Sequence, residues 1–330
     1  MDAAQLEMRL RKVLGARHPV AAGAVITPDG TTTASVGAAA ESEFEIGSVS
    51  KGVTGLLYAV ALERGEVSES TRLGELLPLE ECPAAGVTLG SLARHHSGLP
   101  SVPLTGENVR RTVGMIWKGA NPYGDSLKEL LDSARGVRLR KPRFRYSNLG
   151  FQLLGHALAS AAGDVAYPEL VRARVAEPLG IATFTAPSSV AELGENALPG
   201  RGSGGKPHDA WTGEALAPAG GIRATIGDFA RLASALADGS APGIGALDPV
   251  AKAGAMEIGA AWITLEHQGR RVTWHNGMTG GFASWMGVDR EAGCAVALLT
   301  ATARVVDRHG FDLLAEVVEG RGGSHGGAGR

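Results

Sequence analysis

The spacing of apolar and polar residues changes twice along the chain and divides it into three parts. Residues 3–16 have the apolar spacing of a helix, and residues 20–27 and 31–36 are β-prone runs joined by the turn signal Pro28-Asp29-Gly30. From about residue 105 to 250, helical segments alternate with Gly/Pro loops, and after residue 257 the pattern returns to strands. Because strands occupy both ends, we predict one sheet assembled from the two termini, with an inserted helical lobe.

The same periodicities predict the individual elements. Helices are expected at residues 88–100, 126–134, 149–162, 167–175, 226–237 and 305–319, with a short helix within residues 66–78. Strands are expected at residues 258–266, 271–275, 282–288 and 294–300, whereas residues 199–209 have a loop-like pattern. The predicted domains are an α/β lobe of residues 1–65 and 252–319, a helical lobe of residues 66–251, and a disordered Gly-rich tail of residues 320–330. A cleft between the two lobes is the expected place for a site.

Composition excludes several classes of function. The chain has 330 residues, 44% of them hydrophobic, and a net charge of -2, so it can form a sizeable core but has no electrostatic footprint for nucleic acid or an anionic membrane. It has no apolar run long enough to cross a bilayer, and its N-terminus lacks the apolar core of a secretion signal. We therefore expect a cytoplasmic protein. Cys82 and Cys294 fit no metal spacing and are either a disulfide or, more simply, two buried thiols.

The most informative local pattern surrounds Ser48. Phe44 and Ile46 form a short β-prone run that ends at Gly47, and a helical apolar pattern then continues to Gly65. Ser48 therefore lies at a helix N-terminus, where free N–H groups favour a developing negative charge. Lys51 follows three residues later on the same helix face, and a partly buried lysine can take the proton of a serine nucleophile. The alternative is a helix-capping serine followed by a surface lysine.

Three more segments carry the remaining signal. Tyr146-Ser147-Asn148 precedes a predicted helix, Ala219-Gly220-Gly221-Ile222 precedes another, and His275-Asn276-Gly277 ends a predicted strand. Each is weak alone, since Tyr146 could be an ordinary buried tyrosine and Asn148 a helix cap. Together with Ser48-Val49-Ser50-Lys51, and in this order, they resemble the serine β-lactamase and penicillin-binding-protein superfamily over about residues 20–319. The likeness is to its class C β-lactamase-related branch, which also contains esterases, D-amino-acid peptidases and transacylases.

The resemblance implies a fold and a division of labour. The fold would be β-lactamase/transpeptidase-like, an α+β sandwich with a central antiparallel sheet and an all-helical lobe. Ser48 would attack a carbonyl and become acylated, while Lys51 and Tyr146 would form the hydrogen-bonded base pair that takes its proton. The backbone N–H groups of Ser48 and Met278 would form the oxyanion hole.

The resemblance also assigns substrate contacts. Asn148 would orient the substrate's amide or the base pair, and His275 and Gly277 would bind substrate from the third motif. In true β-lactamases of this type that motif usually begins with lysine, a fixed cation for the substrate's carboxylate. His275 is mostly neutral near pH 7, which favours the esterase, peptidase and transacylase relatives. A strand-end histidine bonded to the backbone is the alternative interpretation.

Other candidate residues are weaker. Gly322-Gly323-Ser324-His325-Gly326 matches a nucleophile-elbow pattern but lacks the preceding strand. His95-His96 could suggest a metal, but adjacent helix residues do not face one ligand point, and we interpret His95 as structural. Three aromatic residues, Trp211, Phe282 and Trp285, either line a pocket or pack in the core, and core packing is favoured.

The sequence thus predicts a serine enzyme that forms an acyl-enzyme and hydrolyses or transfers an ester or amide of a small molecule. Its expected partners are an acyl donor and a water, amine or alcohol acceptor, with no cofactor, no metal, no nucleic acid and no membrane. One alternative is a β-lactamase or DD-peptidase. Another, of a different class, is a non-catalytic sensor module on the same fold, which the intact Ser48, Lys51 and Tyr146 disfavour. The acyl group, the acceptor and the oligomeric state are left open by the sequence.

Overall fold

The computed structural model describes residues 1–102 and 106–322. The helices are α1 (Ala3–Leu14), α2 (Val49–Glu63), α3 (Leu73–Leu76), α4 (Leu89–Ala93), α5 (Gly106–Lys118), α6 (Leu127–Arg135), α7 (Asn148–Ala161), α8 (Tyr167–Val171), α9 (Ala217–Gly220), α10 (Ile226–Asp238) and α11 (Asp307–Gly322). The strands are β1 (Ala21–Thr27), β2 (Gly30–Val36), β3 (Phe44–Glu45), β4 (Gly200–Arg201), β5 (Pro207–His208), β6 (Arg223–Ala224), β7 (Ala251–Ala253), β8 (Met256–Ile258), β9 (Ile263–His267), β10 (Arg270–Met278), β11 (Ala283–Asp289) and β12 (Cys294–Thr300).

The main sheet joins the two ends of the chain, as the sequence predicts. Its eight strands run in the order β2-β1-β12-β11-β10-β9-β8-β7, and each pairs antiparallel with its neighbours. The joint is the pairing of β1 with β12, in register from Ala21 opposite Thr300 to Ile26 opposite Ala295. The predicted antiparallel sheet and its fold class are confirmed.

Both faces of the sheet are covered, and this explains the uninterrupted apolar sequence of β12. Val296 and Leu298 belong to the apolar cluster beneath α1 and α11, while Ala297 and Leu299 belong to the larger cluster that includes α2 and α10. Alternate side chains of a strand point to opposite faces, so a strand covered on both faces needs apolar residues throughout.

The helix α10 lies against the main sheet. This helix falls within the predicted helical lobe of residues 66–251, yet it packs against β1 and β12 of the sheet. Its apolar face, with Phe229, Leu232 and Leu236 fully buried, is the reason. The helical lobe proper is made of α3 to α9 between α2 and this helix.

Four local predictions were wrong in detail. The strand expected over residues 258–266 is split into β8 and β9, because residues 259–262 form a turn in which Gly259 N donates to Trp262 O and Ala261 adopts φ +69°. The helix expected over residues 88–100 ends at Ala93, before His95 adopts φ +58°. Residues 199–209 contain the small hairpin β4–β5 rather than loop alone. The helix α11 continues through Gly320 to Gly322, since a glycine weakens a helix without forbidding it.

Three other expectations have a definite outcome or fall outside the structure. Cys82 and Cys294 do not form a disulfide. Within residues 1–102 and 106–322, no helix combines the length and apolar character needed to span a bilayer. The remainder of the predicted tail, residues 323–330, and with it Ser324, lies outside the described residues.

Candidate active site

The turn between β3 and α2 presents Ser48 to a buried amine. Gly47 allows this turn with φ +51°, and the Ser48 side chain makes no capping hydrogen bond to α2. Instead, Lys51 Nζ donates to Ser48 Oγ at 3.0 Å. The alternative of a capping serine followed by a surface lysine is therefore wrong.

Lys51 is 0% exposed, and this burial changes its chemistry. Its amine donates a second hydrogen bond to the carbonyl oxygen of Ala219 at 2.5 Å. Burial lowers the pKa of Lys51 from 10.5 to about 7, because removal from water disfavours the ammonium form. Near pH 7 a large fraction of this amine is neutral and can accept the proton of Ser48.

Tyr146 reaches the same serine from the loop before α7. Its hydroxyl is hydrogen-bonded to Ser48, and the Lys51 amine lies 4.9 Å from the centroid of its ring. Burial raises the pKa of Tyr146, and this outweighs the opposing effect of the Ser48 hydrogen bond. Tyr146 is therefore a neutral phenol in the resting site, so that of the two side chains Lys51 is the better resting base.

His95 fixes the position of the second motif. Its ring packs 4.6 Å from that of Tyr146, and its Nδ1 accepts a hydrogen bond from Ser147 N at 3.2 Å. Burial lowers its pKa well below 6.5, so the ring is neutral and able to accept. This arrangement agrees with the structural role expected of His95. Among the described residues, no group of three His, Cys, Asp or Glu side chains is placed to hold a metal.

The edge of β10 places Met278 N beside the nucleophile. Thr279 N donates a hydrogen bond to Phe282 O. In an antiparallel pair the N–H groups of successive residues point alternately toward and away from the partner strand, so the N–H of Met278 points away from β11. Pairing of β9 with β10 stops at Trp274, so this part of the edge faces the Ser48 turn instead. A Cβ built on Gly47 would come 2.7 Å from Met278 N. The two N–H groups expected to form the oxyanion hole are thus neighbours.

Gly277 makes this close approach possible. A Cβ at this position would lie 2.0 Å from Ile46 O and 2.9 Å from Ser48 N. Ser284 Oγ donates to the same Ile46 oxygen at 2.7 Å and ties β11 to the turn. Glycine is therefore required here by contact with the nucleophile turn rather than by backbone dihedrals.

His275 is placed differently from the substrate-binding role predicted for it. The side chain is 1% exposed, its Nδ1 lies 2.6 Å from Asn276 O, and its ring packs edge-on against Trp262. Burial, assisted by the nearby charge of Lys51, lowers the pKa of His275 to about 4. A neutral, buried ring cannot hold a substrate carboxylate. This geometry favours the alternative interpretation, a strand-end histidine bonded to the backbone.

Asn148 contacts an aromatic residue that the sequence did not single out. Its Nδ2 donates to Tyr123 Oη at 3.0 Å, and the Tyr123 ring packs edge-on against Trp211 at 4.9 Å. Both rings line a cavity of about 240 Å³. Tyr123 lies in an Asn-Pro-Tyr-Gly loop, and an aromatic residue between loop-forming residues was the one available signal.

The other two aromatic candidates pack in the core. Phe282 is buried against Phe44, with ring centroids 6.3 Å apart. Trp285 packs on Phe311 at 5.0 Å, on the face of the sheet covered by α11. Of the three aromatic residues considered as pocket-lining, Trp211 alone borders the cavity.

A buried ion pair, which the sequence analysis missed, ties the site together. Arg223 Nη1 donates to Glu45 Oε1 at 3.0 Å, and the two side chains are only 1% and 2% exposed. The same carboxylate accepts from Trp211 N at 2.9 Å and is hydrogen-bonded to Thr279, next to Met278. Burial raises the pKa of Glu45, although Arg223 opposes the shift. The ion pair therefore links β3, which precedes Ser48, to the turn between β10 and β11 and to the segment that contains Trp211.

A family model and several known proteins match this chain. The model of the family described as Beta-lactamase matches residues 9–319. Penicillin-binding protein 4 of Amycolatopsis lactamdurans is 25% identical over 320 residues, covering 87% of this chain and 78% of that protein. D-alanyl-D-alanine-carboxypeptidase/endopeptidase AmpH of Escherichia coli (strain K12) is 30% identical over 181 residues, covering 50% of this chain and 45% of that protein.

Two solved structures show the shared fold. A class C beta lactamase from Rhodobacter sphaeroides superposes with a TM-score of 0.76 at 18% identity, covering 95% of this chain and 98% of its own. The octameric penicillin-binding protein homologue from Pyrococcus abyssi gives a TM-score of 0.82 at 21% identity, covering 97% of this chain and 78% of its own. At these identities the likeness concerns the fold alone.

Replacing Gly277 with alanine should disable the oxyanion hole. The methyl group would meet Ile46 O at 2.0 Å and push the β10 edge away from Ser48. We expect kcat for an ester substrate to fall about 10²- to 10³-fold, the cost of losing one oxyanion donor. Gly245→Ala is the matched control, because a methyl group there meets no atom within 4 Å. A folded Gly277→Ala variant with full activity would contradict this role.

Removing one partner of the buried ion pair should destabilise the protein. We expect Arg223→Met to lower the free energy of unfolding in urea by about 3–5 kcal/mol, because Glu45 is left as an uncompensated buried group. The double variant Glu45→Gln/Arg223→Met should recover part of this loss. Arg64→Met removes an exposed pair with Glu66 and should cost less than about 1 kcal/mol. Equal stability of the Arg223 and Arg64 variants would be the contrary result.

Proposed function

We propose that this chain, which belongs to the beta-lactamase family, is a serine acyl-enzyme hydrolase or acyltransferase that acts on an ester or amide of a small molecule. The observation that carries the proposal is the 3.0 Å hydrogen bond between Ser48 Oγ and a fully buried amine whose pKa is lowered to about 7. A serine becomes a nucleophile only when a neighbouring group takes its proton, and this amine is suited to do so at neutral pH.

The acylation step follows from the positions of these groups. Ser48 Oγ attacks the carbonyl carbon and forms the new C–O bond, while its proton moves to the neutral amine of Lys51. The carbonyl oxygen becomes an oxyanion, to which the N–H groups of Ser48 and Met278 donate. When the ester or amide bond breaks, the leaving group takes a proton that the Lys51 ammonium supplies through the Tyr146 hydroxyl. The product is an acyl-Ser48 ester and the free alcohol or amine.

Deacylation is the same sequence in reverse, with a new nucleophile. Lys51, again neutral, accepts a proton from water, an alcohol or an amine, and that molecule attacks the carbonyl carbon of the acyl-Ser48 ester. The bond between this carbon and Ser48 Oγ then breaks, and Oγ takes back the proton from the Lys51 ammonium. Water gives the free acid, and an amine or alcohol gives a transfer product. An acceptor held in attack geometry gains an advantage of up to about 7–11 kcal/mol over an unheld one.

A β-lactamase or DD-peptidase is the second candidate. Its support is the similarity to proteins named penicillin-binding protein 4 and D-alanyl-D-alanine-carboxypeptidase/endopeptidase. Against it stands His275, which is buried and neutral and gives the third motif no cation for a substrate carboxylate. Rapid cleavage of a chromogenic cephalosporin, with slow cleavage of simple esters, would favour this candidate over the first.

Covalent labelling tests the proposed nucleophile. We expect a fluorophosphonate to modify the peptide that contains Ser48 and no other, because within residues 1–102 and 106–322 Ser48 alone combines an activating amine with adjacent oxyanion donors. Ser48→Ala should lose both the label and the turnover of a p-nitrophenyl ester. Ser147→Ala serves as the comparison, since its hydroxyl is engaged with Pro100 O and Gly150 N rather than with Lys51. Labelling at Ser147, or undiminished turnover by Ser48→Ala, would overturn the mechanism.

The pH dependence should report the titration of Lys51. Below pH 7 the amine is protonated and cannot accept a proton, so kcat/KM should rise with pH and level off above about 7. His275 does not interfere, because its pKa is lowered to about 4 and it stays neutral throughout this range. The measurement is a pH profile of ester hydrolysis between pH 5 and about 9. A rise centred near 10 would show that the amine is not perturbed.

Acceptor competition separates hydrolysis from transfer. We expect at least one amine or alcohol, present at millimolar concentration, to divert an ester substrate from free acid to a transfer product. The reason is that Lys51 and Tyr146 can deprotonate an amine as readily as water. Products are quantified by mass spectrometry with wild-type enzyme and with Ser48→Ala as the blank. If free acid were the sole product with every acceptor, the protein would be a hydrolase and not an acyltransferase.

A further inference from the structure

The cavity beyond Asn148 has the character of a binding site for an acyl group. Its volume is about 240 Å³, enough for on the order of eight groups the size of a water molecule. Most of the described residues that line it are apolar or aromatic, and they include Leu130 of α6, Leu149 of α7, Tyr123 and Trp211. Apolar surface of this kind favours a carbon chain over water.

The cavity adjoins the reacting atoms through its two rings. Tyr123 Oη accepts a hydrogen bond from Asn148 Nδ2 at 3.0 Å. Asn148 follows Tyr146 by two residues, and the Tyr146 hydroxyl is hydrogen-bonded to Ser48. Trp211 N donates a hydrogen bond to the carboxylate of Glu45, which lies three residues before Ser48. The Trp211 ring lies against Gly280, in the turn between β10 and β11. Two residues of the cavity wall are thus tied by hydrogen bonds to the segments that carry Tyr146 and Ser48, which makes this cavity the candidate space for a chain attached to the carbonyl at Ser48.

Gln152 adds an uncharged amide to the lining of the cavity. Gln152 is 6% exposed and lines the cavity, and no described residue forms a hydrogen bond with its amide. It follows Asn148 by four residues on α7, so it lies on the same helix face, about 6 Å deeper in the lobe. A purely apolar ligand that displaced water from this amide would leave it unpaired at a cost of about 1–3 kcal/mol, whereas a ligand that hydrogen-bonds to the amide would avoid this cost.

The charges of the cavity are already matched. Arg111 and Asp125 form an ion pair at 2.5 Å. A charged ligand would have to lose its hydration without gaining a counterion from this pair, which disfavours it. The other polar side chains in the lining are neutral, namely Tyr123, Ser133, Gln152 and Trp211. Of these, the Gln152 amide and the Ser133 hydroxyl can both donate and accept.

We propose that Gln152 selects an acyl donor whose chain is largely apolar and carries one uncharged hydrogen-bonding group, an amide, hydroxyl or carbonyl, at the depth of its own amide. The inference rests on the proposed acyl-enzyme function and names the donor class for it. Purely alkyl chains leave the Gln152 amide unpaired, and chains that end in a carboxylate or ammonium bury an unmatched charge.

Matched p-nitrophenyl esters test the proposal. The set contains p-nitrophenyl acetate, the octanoate, chains of the same length in which an amide or hydroxyl is stepped along the alkyl chain, and a carboxylate-ended chain. For wild-type enzyme we expect one position of the polar group to give a kcat/KM about 5- to 100-fold above the octanoate. The carboxylate-ended chain should fall below the octanoate. Equal rates for all chains, or a preference for the charged chain, would overturn the proposal.

Variants then assign the preference to Gln152. Gln152→Leu should abolish the preference in kcat/KM for the best polar ester over the octanoate. Gln268→Leu, the same change on the exposed β9–β10 turn, should retain this preference. A merely structural role of Gln152 would lower both rates and leave their ratio unchanged, which would also overturn the proposal. If circular dichroism shows that Gln152→Leu does not fold, the Ser133→Leu variant is measured instead. That change narrows the cavity and should reduce the rate of the long polar ester relative to the acetate; an unchanged ratio is the contrary result.

The two proposals fail in different ways. Absence of acetate turnover and of Ser48 labelling would remove the acyl-enzyme function itself. Acetate turnover with normal Ser48 labelling, but with a chain preference that does not depend on Gln152, would leave that function intact and remove this inference alone.

Discussion

A lysine amine that is wholly removed from water loses the hydration that normally keeps it charged, and Lys51 is in this position. Residues from all parts of the chain surround it: Ser48 on its own helix, the Ala219 carbonyl from the helical lobe, the Tyr146 ring, and His275 from the C-terminal strands. None of these groups carries a negative charge that would restore the ammonium form. The surrounding groups therefore lower the pKa of Lys51 by excluding water without supplying a negative charge, in addition to forming hydrogen bonds. His275 is one of these surrounding groups rather than part of the surface that contacts substrate.

What the sequence predicted correctly depends on short-range relationships. The family was recognised from the motifs, and the match over residues 9–319 confirms it. Ser48 and Lys51 lie three residues apart on one helix, so helical periodicity alone places them together. The strands of the sheet were found because β-prone runs are local, although the periodicity did not reveal the turn at Ala261, with φ +69°, that splits residues 258–266 into β8 and β9.

What the sequence did not reveal depends on contacts across the fold. Glu45 and Arg223 are 178 residues apart, and nothing near either residue indicates a buried partner. Tyr123 becomes important only because the helical lobe brings it against Asn148 and Trp211. The burial of His275 likewise depends on Trp262, from the turn that precedes β9. Side-chain environments of this kind follow from tertiary packing, which local patterns do not encode.

The joining of β1 to β12 has a consequence for how the protein acquires its chemistry. Ser48 and Lys51 are made early in synthesis, whereas Met278 and the strand that completes the sheet are made near the other end of the chain. Contacts so distant in sequence must overcome a large loop-closure entropy before they contribute any stabilisation, so they tend to form late in folding. A growing chain would thus carry its nucleophile for most of its synthesis without an assembled oxyanion hole. The topology thereby makes reactivity a property of the completed fold.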